Sequence, residues 1–303
     1  KRDDLTGCVE SGNKIRKLEY SLAQALSYGC DTVITCGGTQ SNHARATAAL
    51  CAQLGLQCHL ILREDTNPEA LNGNLLLDRL FGANIDTYPR KTYGAQLDSL
   101  LSSAWEYYAS VGSNAYIIPT GASDGVGLWG YIEAAQELRG DFQNNNIKVG
   151  SIVCASGSGG TQGGLTLGCS LLDMDTQVLG VAVCDSVAYF DKKVRQDWQH
   201  WAQQYEQAEP QQNITVNTVD DYIGAGYGVA GDEVFETIAL LAREEGLVLD
   251  PTYTGKAFHG LLKELEAGRF KGMSDIVFVH TGGVYGLMAQ SQQIGQWFNK
   301  HTQ

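Results

Sequence analysis

Short apolar runs that break at glycine or another turn signal and open onto helix-like segments recur along most of the chain. This alternation limits the chain to a small set of folds. Strands are predicted at 31–36, 57–62, 85–88, 115–119, 151–155, 178–183 and 276–280. Helices are predicted at 42–54, 67–80, 95–111, 127–138, 161–172, 187–207, 232–245, 256–267 and 284–298, and the polar stretch 141–148 reads as a loop. Strand–turn–helix repetition of this kind gives parallel sheets wrapped by helices, an α/β fold. At 303 residues the chain exceeds what one small core serves, so two lobes are expected. Such sheets bind ligands beyond the carboxyl ends of their strands.

Glycine marks those ends. It accounts for 36 of 303 residues, about 12%, against a usual ~7%. The clusters lie at 37–38, 157–164, 224–231 and 282–283, and all but the third directly follow a strand-like run. A backbone without Cβ lets a ligand approach closely, so these are candidate site segments.

Charge and cysteine content narrow the function classes. With 21 basic against 34 acidic residues the net charge is -13, which repels nucleic acid and anionic membranes; neither is an expected partner. No apolar run reaches the ~18 residues of a membrane span, and the opening Lys1-Arg2-Asp3-Asp4, abrupt enough to read as trimmed, lacks the pattern of a signal peptide. Eight cysteines are too sparse for a disulfide scaffold, and Cys36, Cys58, Cys154 and Cys184 fall in or beside apolar runs. Without CxxC or HExxH no zinc site is expected. Reduced thiols fit a cytoplasmic or organellar setting.

Three segments carry chemistry. Gly157-Ser158-Gly159-Gly160-Thr161 follows a strand and opens a helix, so its N–H groups and hydroxyls form a cradle for a single phosphate. Gln162 breaks the dinucleotide fingerprint there, and no Gly-Lys-Ser/Thr triplet of a nucleotide loop exists. The segment 226–231 does satisfy GxGxxG, but Asp220 and Asp221 precede it, and it reads as a mobile glycine loop displaying Tyr227. In 11–20, Lys14 and Lys17 stand three apart and share a face if helical; one amine suits a carbonyl carbon and the other a phosphate. Ser41 and Asn42, after Gly37-Gly38, read as helix caps or as a grip on a carboxylate and a ring oxygen.

Taken in order, these segments resemble the family of 1-aminocyclopropane-1-carboxylate deaminases and D-cysteine desulfhydrases, within the tryptophan-synthase-β-like pyridoxal phosphate enzymes of fold type II. The matching motifs are Lys-Arg-Asp-Asp-Leu-Thr-Gly (1–7), Gly-Asn-Lys-x-Arg-Lys-Leu-Glu (12–19) and Thr-Cys-Gly-Gly-x-Gln-Ser-Asn-His-Ala-Arg (35–45). Gly-Ser-Gly-Gly-Thr (157–161), Asp-Pro-x-Tyr-Thr-Gly-Lys-Ala (250–257) and His-Thr-Gly-Gly (280–283) complete the set. Ser11 departs from the usual glycine, and the family's strand ahead of Lys1 is absent.

The resemblance implies that Lys14 holds pyridoxal 5′-phosphate as a Schiff base. Lys17 and Gly157, Ser158, Gly159, Gly160 and Thr161 bind the phosphate, and Asn42 meets the ring oxygen. Ser41 with the 41–43 turn, His43 included, faces the substrate carboxylate, and Tyr227 and Tyr253 are the paired active-site tyrosines. It further implies a cofactor cleft between a small lobe (17–125) and a large one (1–16 with 126–303), and a homodimer. Ring-opening deaminases carry Glu directly after the second tyrosine and Leu between the His and Gly-Gly of the last motif. Thr254 and Thr281 stand there instead, as in the desulfhydrase branch. Both hydroxyls are expected near the cofactor ring, where a neutral partner makes a weaker electron sink. The expected reaction is α,β-elimination on D-cysteine to pyruvate, hydrogen sulfide and ammonia. The alternatives are elimination on cysteate or another β-substituted alanine, ring-opening deamination, or binding of cofactor and amino acid without turnover.

Overall fold

A computed structural model describes residues 1–64, 71–207 and 214–301. The first half runs α1 (Lys14–Ser27), β1 (Thr32–Gly38), α2 (Asn42–Leu54), β2 (Gln57–Arg63), α3 (Gly73–Leu80), β3 (Asn84–Tyr88), α4 (Arg90–Ser110) and β4 (Ala115–Ile117). Its strands form one sheet in the order β3-β2-β1-β4, all parallel. The second half runs α5 (Trp129–Asn144), β5 (Val149–Ser156), α6 (Gly160–Leu171), β6 (Gln177–Ala182), α7 (Val187–Gln204) and β7 (Asn217–Val219). It closes with α8 (Asp232–Glu245), α9 (Thr254–Glu266), β8 (Asp275–Phe278), α10 (Val284–Ala289) and α11 (Ser291–His301). Its sheet has the order β7-β6-β5-β8, again parallel throughout. The α/β architecture of two helix-wrapped parallel sheets is therefore as expected.

Each sheet is covered on both faces, which is why its strands are nearly all apolar. Along β1, Val33 packs with Leu60, Leu62 and the α1 residues Leu18 and Leu22. Its neighbours Ile34 and Cys36 point the other way, to Tyr93, Ala104 and Tyr108 of α4. This is the two-residue period of a strand. In the second sheet Ile152 and Cys154 face Tyr131, Ala135 and Leu165, while Val153 and Ala155 face Ala257 and Leu261 of α9. Both central strands, β1 and β5, thus deliver their carboxyl ends, Gly37-Gly38 and Ser156-Gly157, to one cleft between the sheets.

Three expectations need correction. The loop predicted at 141–148 is helical as far as Asn144, because Phe142 is buried in the α5–β5 core and holds that turn in place. The single helix predicted at 284–298 is two, α10 and α11. They separate at Gln290, whose side-chain amide donates to Thr252 Oγ1 at 3.2 Å. The helix predicted at 67–80 is described only from residue 71, and helix is present from Gly73. The strand β7 has no counterpart among the predicted strands, because the sequence around it is polar, although Val216 and Val219 are buried.

Candidate active site

The cleft encloses a cavity of about 900 Å³, lined by elements of both sheets. Lys14 enters it from the first turn of α1. The preceding turn is fixed by backbone contacts: Gly12 has φ +105°, and a Cβ there would lie 2.8 Å from the Thr281 carbonyl oxygen. Asn13 N–H donates to that same oxygen at 3.1 Å, and the Asn13 side-chain amide donates to Thr161 Oγ1 at 2.9 Å. Arg16 clamps the same turn to the N-terminal segment and to α5, by Asp3 at 3.0 Å and Glu137 at 2.8 Å. Buried Asp3 also accepts from Tyr131 Oη at 2.6 Å. On the other side Arg45 of α2 donates to the carbonyls of Val9 and Ser11 and to Asn74 Oδ1. The motif residues around Lys14 therefore form a brace that fixes one amine.

Lys17, one turn further along α1, is fully buried. Its Nζ donates to Ser123 Oγ at 3.3 Å, and no ion pair of the described residues includes it. Ser123 Oγ also contacts Ser158 Oγ at 2.8 Å and accepts from Gly160 N–H at 3.2 Å. Lys193 Nζ donates to the Ser123 carbonyl at 2.8 Å and pairs with Asp197. Gly159, at φ +85°, turns the chain from β5 into α6, so the first amides of that helix face this cluster. Burial lowers the Lys14 amine to about 8, with a hydrogen bond to Lys17 acting in the opposite sense. Burial, then the Lys14 charge, pushes Lys17 well below the ordinary lysine value, against the pull of Asp124 and Asp197.

A buried amine that no carboxylate of the described residues pairs with, two serine hydroxyls and the amino end of a helix together form a site suited to an anion. The cradle also has no spare room. A Cβ on Gly160 would lie 2.5 Å from Ser123 Oγ and 3.0 Å from Lys17 Nζ, and one on Gly121 would lie 2.4 Å from Ser158 Oγ and 3.2 Å from Lys14 Nζ. These residues fit a phosphate on Lys17 and the 157–161 loop with a carbonyl carbon within reach of Lys14. Ser123, Gly121 and Lys193 were not anticipated. The available signal was Thr120-Gly121-Ala122-Ser123, two residues after β4, a strand-to-glycine junction like those of the other site loops.

Opposite Lys14, Ser41 caps α2 by accepting from Ala44 N–H at 3.2 Å. Asn42 Oδ1 accepts from Asn74 Nδ2 at 3.0 Å, so its own amide N–H groups remain as the donors. Thr35 Oγ1 donates to the Ile118 carbonyl at 2.7 Å and so accepts from His43 Nε2 at 2.8 Å. This leaves His43 Nδ1 as a buried acceptor without a partner. Burial, then Lys14 and Lys17, hold His43 well below its usual value and neutral. On the far wall Tyr227 and Tyr253 share a hydrogen bond of 2.5 Å with rings at 77°. Burial, then Tyr227 and Asp250, keep Tyr253 protonated far above the usual phenol range.

Of the two threonines, Thr281 lines the cavity and Thr254 does not. Thr254 is fully buried, its hydroxyl donating to Asp250 Oδ1 at 2.8 Å. Asp250 also accepts the N–H groups of Thr252, Tyr253 and Thr254, so its carboxylate knots the start of α9 and turns the Thr254 hydroxyl away from the cleft. Among the described residues no group of three or more His, Cys, Asp and Glu could hold a metal. No helix of theirs is long and apolar enough to cross a membrane.

Residues 1–282 match the family described as pyridoxal-phosphate dependent enzyme. The chain belongs to that family. It is 42% identical over 296 residues to a Thermotoga maritima protein that carries the provisional name 1-aminocyclopropane-1-carboxylate deaminase, spanning 97% of this chain and 91% of that one. A crystal structure described as an ACC deaminase homologue superposes with a TM-score of 0.86 at 36% identity, over 98% of this chain and 87% of that chain. The fold alone is shared with an L-serine ammonia-lyase from Rhizomucor miehei, with a TM-score of 0.65 at 17% identity over 99% and 92% of the two chains. The chain is thus a fold-type-II, pyridoxal phosphate-dependent enzyme of the ACC deaminase-like group.

The Lys14 amine gives a pH prediction. Only its neutral form captures an aldehyde, and that form grows about tenfold per pH unit below about 8 and levels off above it. The rate at which cofactor-free protein is loaded covalently is expected to follow this curve in stopped-flow absorbance. A rate still rising tenfold per unit at pH 9.5 would mean that Lys14 keeps the ordinary lysine value.

Proposed function

We propose that the enzyme catalyses α,β-elimination on D-cysteine, yielding pyruvate, hydrogen sulfide and ammonia. The observation that carries this reading is the polar but uncharged character of the two positions that mark the branches. Thr281 lines the cavity, and Thr254 is neutral and closed onto Asp250. Pyridoxal phosphate, when bound to Lys14, supplies a sink for the electron pair left when the Cα–H bond breaks. A neutral hydroxyl beside its ring favours a modest sink, sufficient to expel a thiolate, which leaves more readily than a carbon does.

In this reading the chain's own groups divide the work. The Asn42 side-chain amide and the backbone N–H groups at the amino end of α2, that of His43 included, hold the substrate carboxylate, with Ser41 capping that turn. The Lys14 amine, with a value of about 8, takes the α-proton, and Ser41 is the alternative acceptor. Tyr253, kept protonated, and Tyr227, bonded to it, form the donor for the departing sulfur. Water then converts the three-carbon product to pyruvate and ammonia. Lobes at 17–125 and at 1–16 with 126–303 hold the cofactor in the cleft between them, and two such chains form a homodimer.

The name of the Thermotoga maritima relative favours a second reading, ring-opening deamination of 1-aminocyclopropane-1-carboxylate. Both are tested by incubating loaded enzyme with D-cysteine, L-cysteine, L-cysteate and the cyclopropane amino acid. The expected result is sulfide and pyruvate in equal amounts from D-cysteine alone. Keto acid from the cyclopropane substrate without sulfide from D-cysteine would overturn the first reading in favour of the second.

A further inference from the structure

One buried cation takes no part in the chemistry above. Lys256 of α9 is 1% exposed, and its ammonium donates at 2.7 Å to each of two backbone carbonyls, those of Ile223 and Gly226. No ion pair of the described residues includes it, and Asp250 and Glu233 act on the charge only from beyond ion-pair distance. Burying a cation on carbonyls alone is costly, and a structural role is met more cheaply by an apolar side chain.

The two carbonyls belong to the glycine loop that carries Tyr227. Gly224, Gly226 and Gly228 all have positive φ, at +66°, +128° and +76°, and a Cβ on any of them would meet nothing within 4 Å. Such a loop has little packing of its own and many accessible conformations. It is held by a stripe along one face of α9. Tyr253, Lys256, Gly260 and Glu264 follow at spacings of three and four. Glu264 accepts from Tyr222 Oη at 2.7 Å, Gly260 leaves room for the Tyr222 ring, Lys256 ties 223 and 226, and Tyr253 meets Tyr227. From the opposite sheet the Arg63 guanidinium lies 5.0 Å over the Tyr227 ring.

We propose that Lys256 is a positioning residue that fixes the 222–228 loop so that the Tyr227 hydroxyl stays on Tyr253, making the two phenols one acid unit. This rests on the tyrosine pair acting in the reaction proposed above; the loop contacts themselves do not. Removing the ammonium frees two carbonyls and lets the loop lift, so Tyr227 leaves Tyr253 while the carboxylate grip at the amino end of α2 is unchanged.

The test compares wild type, Lys256→Met, Tyr227→Phe and the double variant, all loaded with cofactor. In Lys256→Met the backbone amides of 222–230 are expected to exchange with deuterium at least about tenfold faster, with the 157–161 and 41–45 segments unchanged. Its kcat is expected to fall roughly 10- to 100-fold with KM within about threefold. In the Tyr227→Phe background the same change is expected to alter kcat less than about twofold, the sign of one shared function. Lys256→Gln, whose amide is shorter and uncharged, is expected to give the same pattern in smaller degree and serves if the methionine variant does not fold. Unchanged exchange at 222–230, or fully additive losses in kcat, would overturn the proposal. If wild type makes no sulfide from D-cysteine, the substrate reading fails separately. The exchange result still decides the loop claim, and kcat is then read on whichever amino acid is consumed.

Discussion

Lys14→Ala is expected to abolish turnover, by at least about 10³-fold, while the protein still binds pyridoxal phosphate reversibly. Two losses combine. The amine that anchors the aldehyde carbon is gone, and so is the base of lowered pKa standing closest to it. The phosphate cradle does not depend on Lys14: Lys17, Ser123, Ser158 and the amino end of α6 meet each other through Ser123 Oγ. Cofactor is therefore expected to remain with the variant at micromolar concentrations and to leave on dialysis. Steady-state turnover and absorbance after dialysis check this. A loss of less than about tenfold would mean that another amine, Lys17 or Lys193, performs both roles.

Lys17→Met is expected to move affinity and stability in opposite directions. With the phosphate bound, Lys17 is one half of a buried charge pair, and truncating one partner of such a pair costs 2 kcal/mol or more, about 30-fold in affinity. Without cofactor it is a buried amine whose charge is disfavoured by its surroundings. An apolar side chain of similar volume suits that environment better. Cofactor-free Lys17→Met is therefore expected to melt above cofactor-free wild type, by ~3 °C or more, and to gain less on adding pyridoxal phosphate. The stability advantage has a pH sign. A lysine with a depressed folded value binds fewer protons folded than unfolded, so the wild-type deficit is full below the depressed value. It disappears as pH rises towards 10.5. Thermal scans of both proteins with and without cofactor read all of this. Equal melting temperatures without cofactor and equal affinities with it would remove Lys17 from the phosphate site.

How far the site was legible in the sequence follows from how local its parts are. The 157–161 cradle and the Ser41 cap each lie within a few residues of a strand end, so the apolar run, the glycines and the helix that follows were enough to find them. Lys14 and Lys17 lie on one helix, and their spacing alone places both amines together. Ser123 and Lys193 escaped because they reach the site across 106 and 70 residues of sequence from the groups they bind. No periodicity encodes such a meeting. Thr254 was placed beside the cofactor ring on its position next to Tyr253, but the direction of its hydroxyl is set by Asp250, four residues back, which receives three backbone amides and leaves the threonine facing inward. The end of α5 shows the same rule. Polar composition predicted a loop after 140, and one buried phenylalanine, Phe142, extended the helix by a turn.

In the proposed site one amine, Lys14, receives the cofactor while Lys17 receives its phosphate. Reducing the loaded protein with borohydride, digesting it and locating the modified lysine by mass spectrometry tests this most directly. The expected result is a single phosphopyridoxyl group on the peptide containing Lys14, with Lys17 and Lys193 unmodified. A modification centred on Lys17, Lys193 or Lys256, or spread over surface lysines at less than one per chain, would contradict the site as described.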